Sequence, residues 1–94
     1  MDNMSGIAMV WVFTTPRSRF PGAVFTSRAL AETWISKHNL IGTLTRYPLD
    51  QGVYEWAIEH RCFVPSEEQH RTREFIGGFT TASQEHYHYG DGDE

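Results

Sequence analysis

The clearest pattern in the sequence is a set of side chains spaced as on one face of an amphipathic helix. Segments that alternate with a period of two lie before and after it. Side chains on one face of an amphipathic helix recur at steps of three and four. Here they are Leu30, Ala31, Trp34, Ile35 and His38. Ser27 precedes these residues and offers a hydroxyl to an amide of the first turn, and Asn39 tolerates the left-handed conformation that closes a helix. The pattern predicts a helix between these two residues.

Three segments predict strands, and two of them alternate with a period of two. Residues 9–15 are rich in β-branched and aromatic side chains, which indicates a strand in the middle of a sheet. Residues 23–26 follow a turn that begins at Pro16, and we expect them to run antiparallel to the first strand. Residues 42–49 alternate again and predict a third strand, which Pro48 closes.

The second half of the chain is less regular. Asp50 is placed to cap a shorter helix over 51–61. Residues 64–73 are polar and aperiodic, so we expect an exposed loop there. The two glycines in 75–80 suit a fourth strand with a bulge. Residues 82–89 fit either an extension of that strand or a short helix.

These elements together predict an α+β fold. It is a two-layer sandwich with a mostly antiparallel sheet of about four strands, in the order β-β-α-β-α-β, and two helices on one face. A length of 94 residues allows one domain over 1–94, with a core in 8–89 and loose termini at 1–6 and 90–94. The apolar run over 7–13 is too short to span a bilayer, so we expect no membrane insertion.

Phe, Tyr and Trp make up 14% of the chain, and we expect these large rings to form the core. We expect Trp34 and Trp56 to pack from the two helices onto Trp11 and Phe13 of the first strand. The lone Cys62 is expected to be a packing residue rather than a nucleophile. A single cysteine excludes an intrachain disulfide and agrees with a reducing, cytoplasmic location.

The charge is unevenly distributed along the chain. Residues 1–49 carry five basic and two acidic side chains, whereas 50–94 carry three basic and ten acidic ones, for a net charge of −4. An acidic chain binds phosphate backbones poorly, which argues against nucleic acid as a partner. The opposed charges of the two halves can steer a charged protein partner, or a second copy of the chain, into contact.

The histidines near the C-terminus form the most specific candidate site in the sequence. Alternate residues of a strand share a face, so His86 and His88 would project together and supply two imidazole ligands for Zn, Ni or Cu. Asp91 or Asp93 can supply a third ligand. The alternative is a strand with solvated histidines on one side and packed tyrosines on the other.

Two further features bear on binding and catalysis. Arg17 and Arg19 flank Ser18 in a predicted loop and can form a small anion site or contact a partner. Glu85 is a further candidate for a partner contact. Serine, histidine and aspartate occur together only within nine residues near the C-terminus, whereas catalytic triads draw on separate elements. We therefore predict no catalytic residues, and no glycine motif indicates a cofactor.

Six motifs extend over most of the chain. They are VWVF at 10–13, FPxxVF at 20–25, AxxWI at 31–35, GTLTxYPxD at 42–50, GVYxWAI at 52–58 and ASQEHYHY at 82–89. Taken together, they resemble a family of short bacterial single-domain proteins of unknown function. The resemblance implies a domain that stands alone, with no catalytic residue or cofactor to carry over.

The expected function is that of a small cytoplasmic interaction or accessory module that works without catalysis. Its expected partner is another protein or a second copy of the chain. The alternative is a domain that binds a metal ion or a small anion, centred on His86 and His88.

Overall fold

The computed structural model describes residues 8–90. Its elements are β1 (Met9–Thr14), β2 (Ala23–Phe25), α1 (Arg28–His38), β3 (Gly42–Pro48), α2 (Val53–Glu59), a 3₁₀ turn (Glu68–Arg71), α3 (Arg73–Gly77) and β4 (His86–Tyr89). The predicted loose termini lie outside the described residues apart from Gly90, and so do the candidate ligands Asp91 and Asp93.

The four strands form one sheet in the order β2-β1-β3-β4. Each neighbouring pair is antiparallel. This arrangement confirms the predicted α+β class, the central place of the first strand and its antiparallel pairing with the second. The segment 82–89, which the sequence left open between strand and helix, turns at its start and then forms β4 beside β3.

The core lies between α1 and one face of the sheet, here called the covered face. Residues directly opposite in an antiparallel pair share a face, and Phe13 of β1 pairs with Leu44 of β3. Both are almost fully buried, together with Ala31 and Ile35 of α1. The Trp34 ring packs edge-on against Phe13 at 5.5 Å between ring centroids, as predicted.

Local capping explains the bounds of α1. The Ser27 side chain accepts a hydrogen bond from the Leu30 amide, and Asn39 adopts the left-handed conformation at φ 53°. Both caps are as predicted. No helix within residues 8–90 is long and apolar enough to cross a membrane.

The prediction of a fourth strand over 75–80 is wrong. Thr72 caps α3 by accepting a hydrogen bond from the Phe75 amide, and Phe75 and Phe79 lie one helical turn apart. Their rings join a second group of packed rings, here called the aromatic cluster. It comprises Tyr54, Phe63, His70, Phe75 and Phe79. Gly77 is the last residue of α3 and Gly78 is its C-cap, so the two glycines end a helix between the two rings rather than forming a bulge.

Four smaller expectations also need correction. Asp50 has φ 63° and does not cap α2, which begins after Gly52. Trp56 stacks on His60 at 4.6 Å between ring centroids rather than on the core rings of β1. Cys62 is exposed and is not a packing residue. The stretch 64–73, predicted as a loop, contains the 3₁₀ turn and the first residue of α3.

Candidate functional site

The sheet face turned away from α1, here called the open face, is incompletely buried along its length. Its side chains come from alternate positions of all four strands: Val10, Val12, Thr14, Val24, Thr43, Thr45, Tyr47, His86 and His88. None of them is fully buried, and Val24 is 60% exposed. The molecule measures 21 Å along its shortest axis, the depth of one helix layer on one sheet. The open face is therefore a surface.

A cavity of about 260 Å³ lies on the open face beside β4. It is lined mainly by hydroxyl-bearing side chains and one imidazole: Thr43, Thr45, Tyr47, Thr80, Thr81, Ala82, Gln84 and His86. Gln84 is 2% exposed. Its Oε1 accepts from the Thr81 amide at 3.0 Å, and its Nε2 donates to the Arg46 carbonyl at 3.1 Å. Gln84 thus fastens the cavity wall to β3, a role that sequence reasoning missed.

The structure places the two candidate histidines beside each other on the open face. Their ring centroids are 5.4 Å apart. His86 Nδ1 lies 2.7 Å from the Gln84 carbonyl oxygen, and His88 Nδ1 lies 3.3 Å from Thr43 Oγ1. A carbonyl oxygen can only accept a hydrogen bond, so His86 Nδ1 carries the proton and, in the neutral ring, Nε2 carries the lone pair. Both Nε2 atoms lack a hydrogen-bond partner among the described residues.

A single chain offers few ligands for a metal ion. Within residues 8–90 there is no group of three or more His, Cys, Asp or Glu side chains that could hold one. His86 and His88 therefore form a pair of ligands and not a complete site.

The outer edge of β4, here called the free edge, presents main-chain groups of the two histidines. Hydrogen-bonding direction alternates along an antiparallel strand. The Glu85 carbonyl accepts from the Arg46 amide at 2.9 Å, so the main chains of Glu85 and Tyr87 face β3. The main-chain N–H and C=O groups of His86 and His88 consequently point away from the sheet, because β4 is its last strand.

The other side of β4 is tied to α1 by a polar network. The Tyr89 hydroxyl donates to Glu32 Oε2 at 2.6 Å, and Arg28 Nε donates to the same oxygen at 3.0 Å. Burial, followed by the bond to Glu32, raises the pKa of Tyr89 to about 12. The bonds from Tyr89 and Arg28 lower the pKa of Glu32. The Arg28 guanidinium lies 3.5 Å from the Tyr87 ring centroid, so the network holds β4 in place.

The remaining candidate residues do not converge on the histidines. Arg17 and Arg19 are exposed in the loop between β1 and β2, at the opposite edge of the sheet. The Arg19 guanidinium lies 5.7 Å from the centroid of Phe20, which is 70% exposed. Glu85 accepts a hydrogen bond from the Tyr87 hydroxyl, which raises the pKa of Tyr87.

Comparison with known proteins adds a family and no activity. A family model described as a domain of unknown function, DUF7710, matches residues 10–94. No curated protein matches the chain, and no solved structure does.

Proposed function

The chain belongs to the DUF7710 family, and we propose that it is a non-catalytic interaction module whose partner is a second copy of itself, bound through the free edge of β4. The observation that carries this proposal is the outward direction of the main-chain groups of His86 and His88 at the end of the sheet. An unpaired strand edge is a template for another strand. We place the module in the cytoplasm, which the exposed thiol of the lone Cys62 supports.

Two copies related by a two-fold axis would pair their β4 strands antiparallel. Opposite residues must share a face and present outward main-chain groups, so the axis can pass at His86, Tyr87 or His88. Pairing about His86 would need Gln84 opposite His88, but Gln84 precedes β4. Pairing about His88 would need Gly90 opposite His86, but Gly90 has φ 94° and has left the strand. Pairing about Tyr87 sets His86 of each copy opposite His88 of the other, and all outward groups of both residues are then bonded.

The side chains along the free edge favour this register as well. On the covered face, Glu85 of one copy would lie opposite Tyr89 of the other. The Tyr89 hydroxyl is bound to Glu32, which also holds Arg28. The register therefore brings the Glu85–Arg46 ion pair of one copy beside the Arg28–Glu32 ion pair of the other, where the four charges can form one network across the interface. The same pairing joins the two open faces into one surface.

A proline substitution tests this pairing without breaking the sheet. Proline lacks the amide hydrogen and is tolerated on an edge strand where that amide faces outward. We expect the untagged wild-type protein, as purified, to be a dimer in sedimentation-velocity runs over a range of concentrations. His88→Pro should be a folded monomer, whereas His88→Ala, the matched control, should remain a dimer. A monomeric wild-type protein, or a His88→Pro dimer as tight as the wild type, would refute the proposal.

A second candidate function is the binding of a small anion in the cavity beside β4. Threonine hydroxyls line it, and His86 is the lining side chain that can carry a positive charge. We expect inorganic phosphate to raise the melting temperature of the wild-type protein. Thr45→Val should abolish this shift, whereas Thr14→Val, on the same face but away from the cavity, should keep it. Equal shifts in the two variants would exclude the cavity.

A further inference from the structure

We propose that two copies of the chain, paired along β4, together form a metal site that neither holds alone. The site consists of four imidazoles, His86 and His88 from each copy, and takes one divalent transition-metal ion such as Zn²⁺. This inference rests on the pairing proposed above. The pairing requires only the main-chain groups of His86 and His88, whereas the metal site uses their side chains.

The register brings the four rings to one place. His86 of one copy lies opposite His88 of the other, and side chains directly opposite in an antiparallel pair have their Cβ atoms about 4.5–5.5 Å apart. Within each copy the two rings already lie 5.4 Å apart between centroids. All four project from the open face and surround the two-fold axis. A single ion on that axis can therefore be reached from both chains.

The hydrogen bonds of the rings match those of metal-binding histidines. Such a histidine usually donates its second ring N–H to a carbonyl or another oxygen, which fixes the ring and leaves the other nitrogen for the metal. His86 Nδ1 is held in this way by the Gln84 carbonyl at 2.7 Å. His88 Nδ1 is next to Thr43 Oγ1 at 3.3 Å. In both rings Nε2 is left to face an ion.

The donor set selects the class of metal. Neutral imidazole nitrogens suit Zn²⁺, Cu²⁺ and Ni²⁺ and not the oxygen-seeking Mg²⁺ or Ca²⁺. Four nitrogen ligands satisfy the tetrahedral preference of Zn²⁺. The net charge of −4 on each chain also attracts a cation. An ion held by both copies binds the dimer and not the monomer, so it must strengthen the dimer.

Stoichiometry tests the shared site. Untagged protein is freed of metal with a chelator, titrated with Zn²⁺ by calorimetry and weighed by native mass spectrometry. We expect one zinc ion per two chains and a lower dimer dissociation constant with zinc. His86→Ala and His88→Ala should lose zinc binding and the zinc effect but keep metal-free pairing. His38→Ala and His60→Ala, exposed histidines on other elements, are the matched controls and should behave as wild type.

A positioning residue gives a second readout. Thr43→Val removes the hydroxyl beside His88 Nδ1 and keeps the size of the side chain. We expect about 10-fold or greater loss of zinc affinity, which is typical when a partner of a ligating histidine is removed, with unchanged metal-free dimer formation.

The outcomes separate this inference from the pairing on which it rests. A wild-type dimer that does not bind zinc, or that binds one ion per chain, overturns the shared site and leaves the pairing intact. A wild-type protein that stays monomeric with and without zinc overturns both. Zinc binding that survives in His88→Ala also overturns the shared site.

Discussion

Replacing Tyr89 with Phe removes one hydroxyl and keeps the ring that packs against the core, so it isolates the link between β4 and α1. The hydroxyl donates to Glu32 Oε2 at 2.6 Å. A hydrogen bond to a charged group is worth roughly 1.5–3 kcal/mol. The side chain of Glu32 is 40% exposed, so water replaces part of the lost bond. We expect the variant to lose about 1.5 kcal/mol of unfolding free energy at neutral pH.

The same contact sets a pH dependence whose sign follows from the raised pKa. The folded state holds the Tyr89 proton more tightly than the unfolded state, because the pKa rises from 10.0 to about 12 on folding. This contribution to stability is complete below pH 10 and is lost as the pH rises through about 12. The gap in stability between wild type and Tyr89→Phe should therefore narrow over that range. Glu32 acts oppositely: its lowered pKa gives stability that is lost as the pH falls below its ordinary value of 4.5.

Urea titrations at neutral pH and at steps up to pH 12 measure both effects. Tyr47→Phe is the matched control, because Tyr47 lies on the open face away from Glu32, and we expect it to change stability by less than about 0.5 kcal/mol. Equal stability of wild type and Tyr89→Phe at neutral pH, or a gap that stays constant up to pH 12, would refute the reasoning.

Three further substitutions, two of them with a control variant, probe the fold, and each is compared with the wild type by urea titration. Leu44→Ala empties a fully buried position and should cost about 2–5 kcal/mol, whereas Val24→Ala, 60% exposed on the open face, should cost less than about 1 kcal/mol. Gly42→Ala would drive a methyl group into a carbonyl oxygen of β1 and should cost about 1–3 kcal/mol. Gly77→Ala meets no atom within 4 Å and should cost nothing measurable. Ser27→Ala removes the cap of α1 and should cost about 1 kcal/mol.

The elements whose bounds depend on residues close to them in the sequence could be predicted from the sequence. The caps of α1 act over three or four residues at each end, and the period of residues 9–15 reflects the pleat of a single strand. The prediction failed at 75–80, where aromatic residues beside two glycines resemble a strand. The segment forms a helical turn because its rings then pack against Tyr54 and Phe63. The spacing of residues within 75–80 does not contain that information.

The candidate site, like the fold, could be predicted from the sequence only in part. The alternation of side chains along a strand predicts that His86 and His88 share a face. Their main-chain groups face outward because β4 is the last strand of the sheet. The hydrogen bonds of their ring nitrogens are made with Gln84 and with Thr43, which is 45 residues from His88.

Short-range chemistry therefore specified β1, β2, α1 and β3 and the side chains that lie together on each, but not α3, where the sequence predicts a strand. Long-range packing specified the order of the strands, the uncovered side of the sheet and the partners of each ring. The link from Tyr89 to Glu32 spans 57 residues and arises only when β4 closes against α1. Contacts of this kind depend on where distant segments meet in space, and a one-dimensional pattern carries propensities but no positions.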